Sequence, residues 1–270
     1  MGFYMNFDEI MSIADYKVRL SRIYEYFNEK KRLNHSKAAR IEFLTNVRYI
    51  EIYLKPGAKI LDIGAGCGEY SLYFAGNGYD VTAIELAERN YETLKSSVMP
   101  GYDLKVFNAN ALDLSMLKDA SFDIVLVMGP LYHLAAEEDQ LKCIKEARRV
   151  CKKDGKLFFA FISNDMVMMT EFANDNDYLI GDTYEHDTFK VKDFPFVFMT
   201  VDGMRGILQK AGLHSLHEVA SDGLSELMVD NINQLSEEGY ARYIDYHMYA
   251  CEKPELLGYS NHILIVCDNA

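Results

Sequence analysis

The chain has 270 residues, 49% of them hydrophobic and 26% charged, enough for one large α/β domain with a buried core. Its 28 basic residues stand against 41 acidic ones, a formal net charge of −13 that a phosphate backbone would repel, so nucleic acid is disfavoured as a partner. The five cysteines show no CxxC spacing, the start has no basic-then-apolar leader, and no apolar run nears the roughly 20 residues a bilayer crossing needs. A soluble cytoplasmic protein with free thiols and no membrane partner is the expectation, as monomer or homodimer.

In chain order, Ser36 to Leu54 carries Ala39, Phe43, Val47, Ile50 and Leu54 at helical steps, and Pro56-Gly57 ends the helix. The apolar run 59–63 predicts a strand, followed by Gly64-Ala65-Gly66-Cys67-Gly68 and a helix from Glu69 to about Ala75. The alternation repeats: strand 80–85, helix 87–97, strand 104–107, strand 122–127, helix 137–151 and strand 156–162. Strands alternating with helices predict βαβ units and a parallel sheet covered on both faces. Residues 163–199 show no convincing period and read as an inserted substrate cap. A helix over 200–211, a strand over 215–220, one helical stretch over 225–251 and a strand over 262–267 complete the chain. This divides it into an N-terminal helical cap segment, 1–54, and a ligand-binding domain, 55–270.

The strongest chemical signal is Leu61-Asp62-Ile63-Gly64-Ala65-Gly66-Cys67-Gly68, a glycine-rich turn joining a strand to a helix. Glycines let backbone approach a ligand, and the helix start presents unpaired N–H groups. Glu85 ends the next strand, where a carboxylate can accept hydrogen bonds from ribose hydroxyls. A dinucleotide fingerprint would need its third glycine at position 69, which is Glu69. Asp62 beside the turn disfavours a pyrophosphate and suits a ligand bearing ammonium and sulfonium groups.

With these motifs the sequence resembles the class I methyltransferases that use S-adenosylmethionine (SAM). Leu61 to Gly68 matches their first motif, Ile84-Glu85 their ribose-binding acid and Asn110 to Leu114 their adenine motif. Phe122 to Leu134 matches the fourth strand and its loop, and 147–155 the helix and turn before the fifth. The resemblance implies a Rossmann-like seven-stranded sheet, mostly parallel with the last strand antiparallel and helices on both faces. It implies SAM as cofactor and S-adenosylhomocysteine as product. Asp62 would hold the ammonium end, with Gly64, Ala65, Gly66, Gly68 and Tyr70 around the methionine part. Glu85 would bind the ribose, Leu86, Asn110, Ala111 and Leu112 would meet adenine, and Met128 and Gly129 would close the site.

The loop Met128-Gly129-Pro130-Leu131-Tyr132-His133-Leu134 follows the fourth strand, where cofactor and acceptor meet in that family. It lacks the Asp/Asn-Pro-Pro-aromatic pattern of enzymes that methylate base amines and looks like the loop of small-molecule methyltransferases. His133 is the candidate general base, with an ordinary pKa near neutrality, and Tyr132 the candidate substrate-facing hydroxyl. Methyl transfer is a displacement at an activated carbon, so alignment alone is also a sufficient mechanism. His214 and His217 lack a third metal ligand nearby, and no metal is expected. Met166 to Met169, Phe194, Phe196, Phe198 and the N-terminal Tyr24, Tyr26 and Phe27 are either pocket lining or core. The expected partner is a small-molecule acceptor methylated on O, N or C. A SAM-binding module without transfer activity, or an RNA or protein methyltransferase, are the other readings.

Overall fold

Three runs, Ile60 to Ile63, Ile124 to Val127 and Leu157 to Phe161, are so apolar that only a sheet covered on both faces can hold them. In the computed structural model they are the central strands. Described are residues 32–192 and 196–270, with Ile10, Ile13, Val18, Arg19 and residues 22–24.

In chain order the sheet comprises β1 (Lys59–Ile63), β2 (Asp80–Glu85), β3 (Leu104–Asn108), β4 (Phe122–Val127), β5 (Cys151–Ser163), β6 (Phe198–Met199), β7 (Ser215–Ala220) and β8 (His262–Asp268). The main path runs β3-β2-β1-β4-β5-β8-β7. β8 lies antiparallel between β5 and β7, and the first five strands are parallel. The seven expected strands are therefore present. The eighth, the two-residue β6, adds itself to the end of β5. Strand order reverses between β1 and β4, which opens a crevice beyond their carboxyl ends.

The helices are α1 (Lys37–Glu51), α2 (Glu69–Gly76), α3 (Glu88–Ser97), α4 (Glu137–Val150), α5 (Asn164–Asn174), α6 (Val201–Lys210), α7 (Val229–Asn233), α8 (Glu237–Ala250) and α9 (Pro254–Leu257). Ser36 caps α1 by accepting from the Ala39 amide, and Phe43, Val47, Tyr49 and Ile50 of α1 join the central core. Two expectations change. Residues 164–174 form a helix capped by Ser163 within the supposedly irregular block. The single helix over 225–251 is two, because Ser236 starts a new one at Glu237. Among the described residues no helix is long and apolar enough to cross a membrane. All five cysteines are free and buried.

Candidate active site

The glycine turn after β1 is fixed from both sides. The amides of Gly64 and Ala65 donate to the Ile84 carbonyl at 2.8 and 3.0 Å, tying the turn to the end of β2. Gly64 has φ +74°, and a Cβ there would lie 2.6 Å from the Pro130 ring, so only glycine lets the β1 and β4 loops touch. Gly68, at φ +92°, would place a Cβ 2.1 Å from Leu94. It packs the turn against α3 and does not line the cleft, a departure from the expected cofactor contact.

Asp62 faces a small hollow walled by Gly64, Ala65, Gly66, Tyr70, Met128, Gly129 and Tyr132. Its side chain is buried, and Oδ2 accepts from the Ser71 hydroxyl at 2.6 Å. Oδ1 is also buried and has no partner. Burial pushes the carboxyl pKa up to about 6, against the lowering effect of the Ser71 bonds. A carboxylate held this way lacks one donor, and an ammonium group would supply it. Tyr70 contributes its ring; its hydroxyl accepts from Asn46 Nδ2 at 2.9 Å.

Glu85 stands on the other side of Gly64. Its carboxylate accepts from the Gly66 amide at 2.8 Å and the Ala87 amide at 2.7 Å, which fixes its orientation at the rim of a second hollow. Leu86, Asn110, Ala111, Gly129 and His133 line that hollow with it. Asn108, which sequence reasoning missed, donates to the carbonyls of Glu85 and Leu86 at 3.0 and 3.1 Å and holds their turn. The Asn110 Oδ1 accepts from the Leu112 amide at 3.0 Å, so one lone pair of the expected adenine contact is used in a local turn. Leu112 itself lies outside the lining.

The β4 loop departs most from expectation. Tyr132 donates its only hydroxyl proton to the Met128 carbonyl at 2.7 Å, bracing the loop rather than pointing it at a substrate. His133 lines the Glu85 hollow, but its Nε2 shares a 2.8 Å hydrogen bond with the Tyr24 hydroxyl. The rings of Tyr24, Tyr132 and Phe196 crowd it, with centroids 5.0 to 5.5 Å away. Burial pushes its pKa down to about 3, so the imidazole is neutral and weakly basic here. Tyr24 lines both hollows. Phe198 and Met166 are core, Met169 is exposed, and Phe196 is a pocket neighbour through His133. Phe194, Tyr26 and Phe27 lie outside the described residues. His217 is bonded to Tyr53 and Glu252, and neither it nor His214 joins a metal-like cluster among the described residues.

Residues 61–159 match the methyltransferase domain family. The chain carries a class I methyltransferase domain. The matched span of this methyltransferase domain runs from β1 into β5 and holds the glycine turn, Asp62, Glu85, Asn110 and the β4 loop. The ubiquinone biosynthesis O-methyltransferase of Idiomarina loihiensis is 26% identical over 155 residues, 57% of this chain and 61% of that protein. Its namesake from Xanthomonas campestris is 34% identical over 113 residues, 40% of this chain and 44% of that protein. The chain thus spans about half the length of the curated relatives it matches. The solved SAM-dependent methyltransferase of Archaeoglobus fulgidus superposes with a TM-score of 0.57 at 17% identity, over 90% of this chain and 99% of that one. The methyltransferase domain implies SAM, and the unpartnered Asp62 oxygen and the Gly64 approach fit its aminoacyl end.

Proposed function

We propose that this protein transfers the methyl group of SAM to a small-molecule acceptor, with residues 1–54 and 163–199 as cap elements over the site. The observation that carries the proposal is the buried, unpartnered Oδ1 of Asp62 beside the glycine turn. SAM supplies an activated methyl on a sulfonium; the chain's residues bind and align. Asp62 takes the ammonium group, and the backbone at Gly64 and Gly129 allows close approach. Glu85, already oriented by two amides, takes the ribose hydroxyls, and Leu86 and Ala111 flank the base. Met128, braced by Tyr132, shapes the wall near the reacting centre. A neutral His133 of low basicity favours alignment and desolvation over proton abstraction as the main contribution. The net charge and the O-methyltransferase relatives support a small acceptor over RNA.

The test is parallel calorimetric titration with SAM, S-adenosylhomocysteine and NAD, followed by acceptor screening through S-adenosylhomocysteine release. Binding of the first two without NAD is the expected result. NAD binding alone would overturn the reading.

A further inference from the structure

A larger hollow lies next to the cofactor cleft. It encloses about 710 Å³, within the size range of small-molecule sites. Its walls come from the first turns of α1, the end of α5, the segment between β7 and α7, and His262 at the start of β8. Because β8 runs antiparallel to β5, its first residue lies at the same sheet edge as the carboxyl ends of the parallel strands. Arg32 lines both this cavity and the Asp62 hollow, so the two share a wall.

The charges of this cavity do not cancel. Arg32 forks onto Glu42 at 2.6 and 3.3 Å. His262 Nδ1 lies 2.7 Å from Asp222 and 3.5 Å from Glu42, and Ser260 donates to Asp222 at 2.6 Å. Burial pulls the His262 pKa down, but the carboxylates of Glu42 and Asp222 outweigh it and raise it to about 9. Two cations therefore offset two buried carboxylates. The donor atoms of Glu42, Asp222 and His262 lie within 4.8 Å of one another, yet a metal would have to displace Arg32 and the imidazolium proton to use them.

Glu226 and Asp230 remain. Both line the cavity, and among the described residues neither forms an ion pair. Glu226 accepts from the neutral amide of Asn261 at 2.7 Å. The rest of the wall includes apolar Ala38, Ala173, Leu227 and Val229. An anionic acceptor would meet net repulsion here, and a neutral one would leave both carboxylates without a counter-charge.

Building on the methyltransferase reading, we infer that this cavity receives the methyl acceptor and selects a small amine, an ammonium group on an apolar frame, through Glu226 and Asp230. The test uses the full chain and three probes of one shape: phenethylamine, phenethyl alcohol and phenylacetate. Binding is measured by calorimetry without SAM and again with S-adenosylhomocysteine present. The amine should bind at least about tenfold more tightly than the alcohol, with phenylacetate weakest. The double variant Glu226→Gln, Asp230→Asn should lose that preference while its SAM affinity stays unchanged, since neither residue lines the cofactor hollows. Both side chains are exposed at the cavity wall, so the variant should fold, which circular dichroism checks. Equal binding of amine and alcohol, no saturable amine binding, or an amine preference that survives the double substitution would each overturn the inference. SAM titration of the same samples decides the methyltransferase reading separately.

Discussion

Asp62→Asn should make the ligand-free protein more stable while making it a worse SAM binder. Burial raises the carboxyl pKa from 3.8 to about 6, and each unit is worth about 1.4 kcal/mol, so holding the charge in the fold costs about 3 kcal/mol at pH 8. The amide keeps an acceptor for Ser71 but turns its NH₂ toward a hollow with no acceptor, which returns about 1–2 kcal/mol of that gain. The net is about 1–2 kcal/mol of stabilisation, and for a chain of this size each kcal/mol moves Tm by about 2–4 °C. The sign with pH follows from the shift. Between pH 6 and 4 the native aspartate takes up a proton that the unfolded one does not, so the wild-type deficit is full above about 6 and gone below about 4. The variant's advantage should shrink over that same window. SAM affinity should fall by about 1.5–3 kcal/mol, the worth of a charge-assisted hydrogen bond. Thermal unfolding at both ends of the window, with calorimetry at pH 8, measures all of this. A variant less stable than wild type at pH 8, or one with undiminished SAM affinity, would refute the reasoning.

Glu85→Ala should weaken SAM by about 1–3 kcal/mol and also destabilise the fold, because the amides of Gly66 and Ala87 lose their acceptor; titration of a correctly folded variant with wild-type affinity would dismiss the ribose role. Gly68→Ala forces a side chain into φ +92° and against Leu94, and should cost about 1–3 kcal/mol, read as a lower Tm with SAM binding retained below the transition. His133 has a folded pKa near 3 against an ordinary 6.5, so its contribution is present above about pH 6.5 and lost as pH falls toward 3; His133→Gln should unfold less steeply on acidification. Turnover should show no inflection near pH 6.5 that disappears in His133→Gln, and a pH–rate profile that does show one would restore His133 as the base.

The parts legible in the sequence were those written in one short stretch. The turn from Asp62 to Gly68 announces itself because three glycines, a strand and a helix start coincide within ten residues, and Glu85 follows at the next strand end. The same locality misleads at Gly68 and Leu112. A glycine that serves packing against Leu94 looks no different in sequence from one that serves a ligand, and Leu112 sits one step past the turn that Asn110 caps. The α5 helix escaped notice because Asn164, Asp165, Thr170 and Asn174 are weak helix formers; Ser163, its cap, was the available signal. Asn108 could have been suspected, since an amide ending a strand beside Glu85 has two carbonyls in reach. Arg32, Glu42, Asp222 and His262 could not, because they come from four separate segments that only the sheet edge brings together.

The cofactor cleft and its gate belong to one equilibrium. The hollows on either side of Gly64 enclose only about 40 and 30 Å³, while ligand sites usually span about 300–1,000 Å³. Tyr24 lines both and shares its hydroxyl with His133, so a nucleoside-sized ligand requires Tyr24 to leave. That departure costs roughly one hydrogen bond and the ring contacts with His133, and it divides the intrinsic affinity by the closed-to-open ratio. Asp62 acts in the opposite direction. Its unpartnered oxygen makes the closed form carry a desolvated charge that an ammonium group relieves. Opening at Tyr24 and charge relief at Asp62 are therefore coupled through the same ligand: neither the aromatic contact nor the buried carboxylate alone sets the affinity, and the difference between them does.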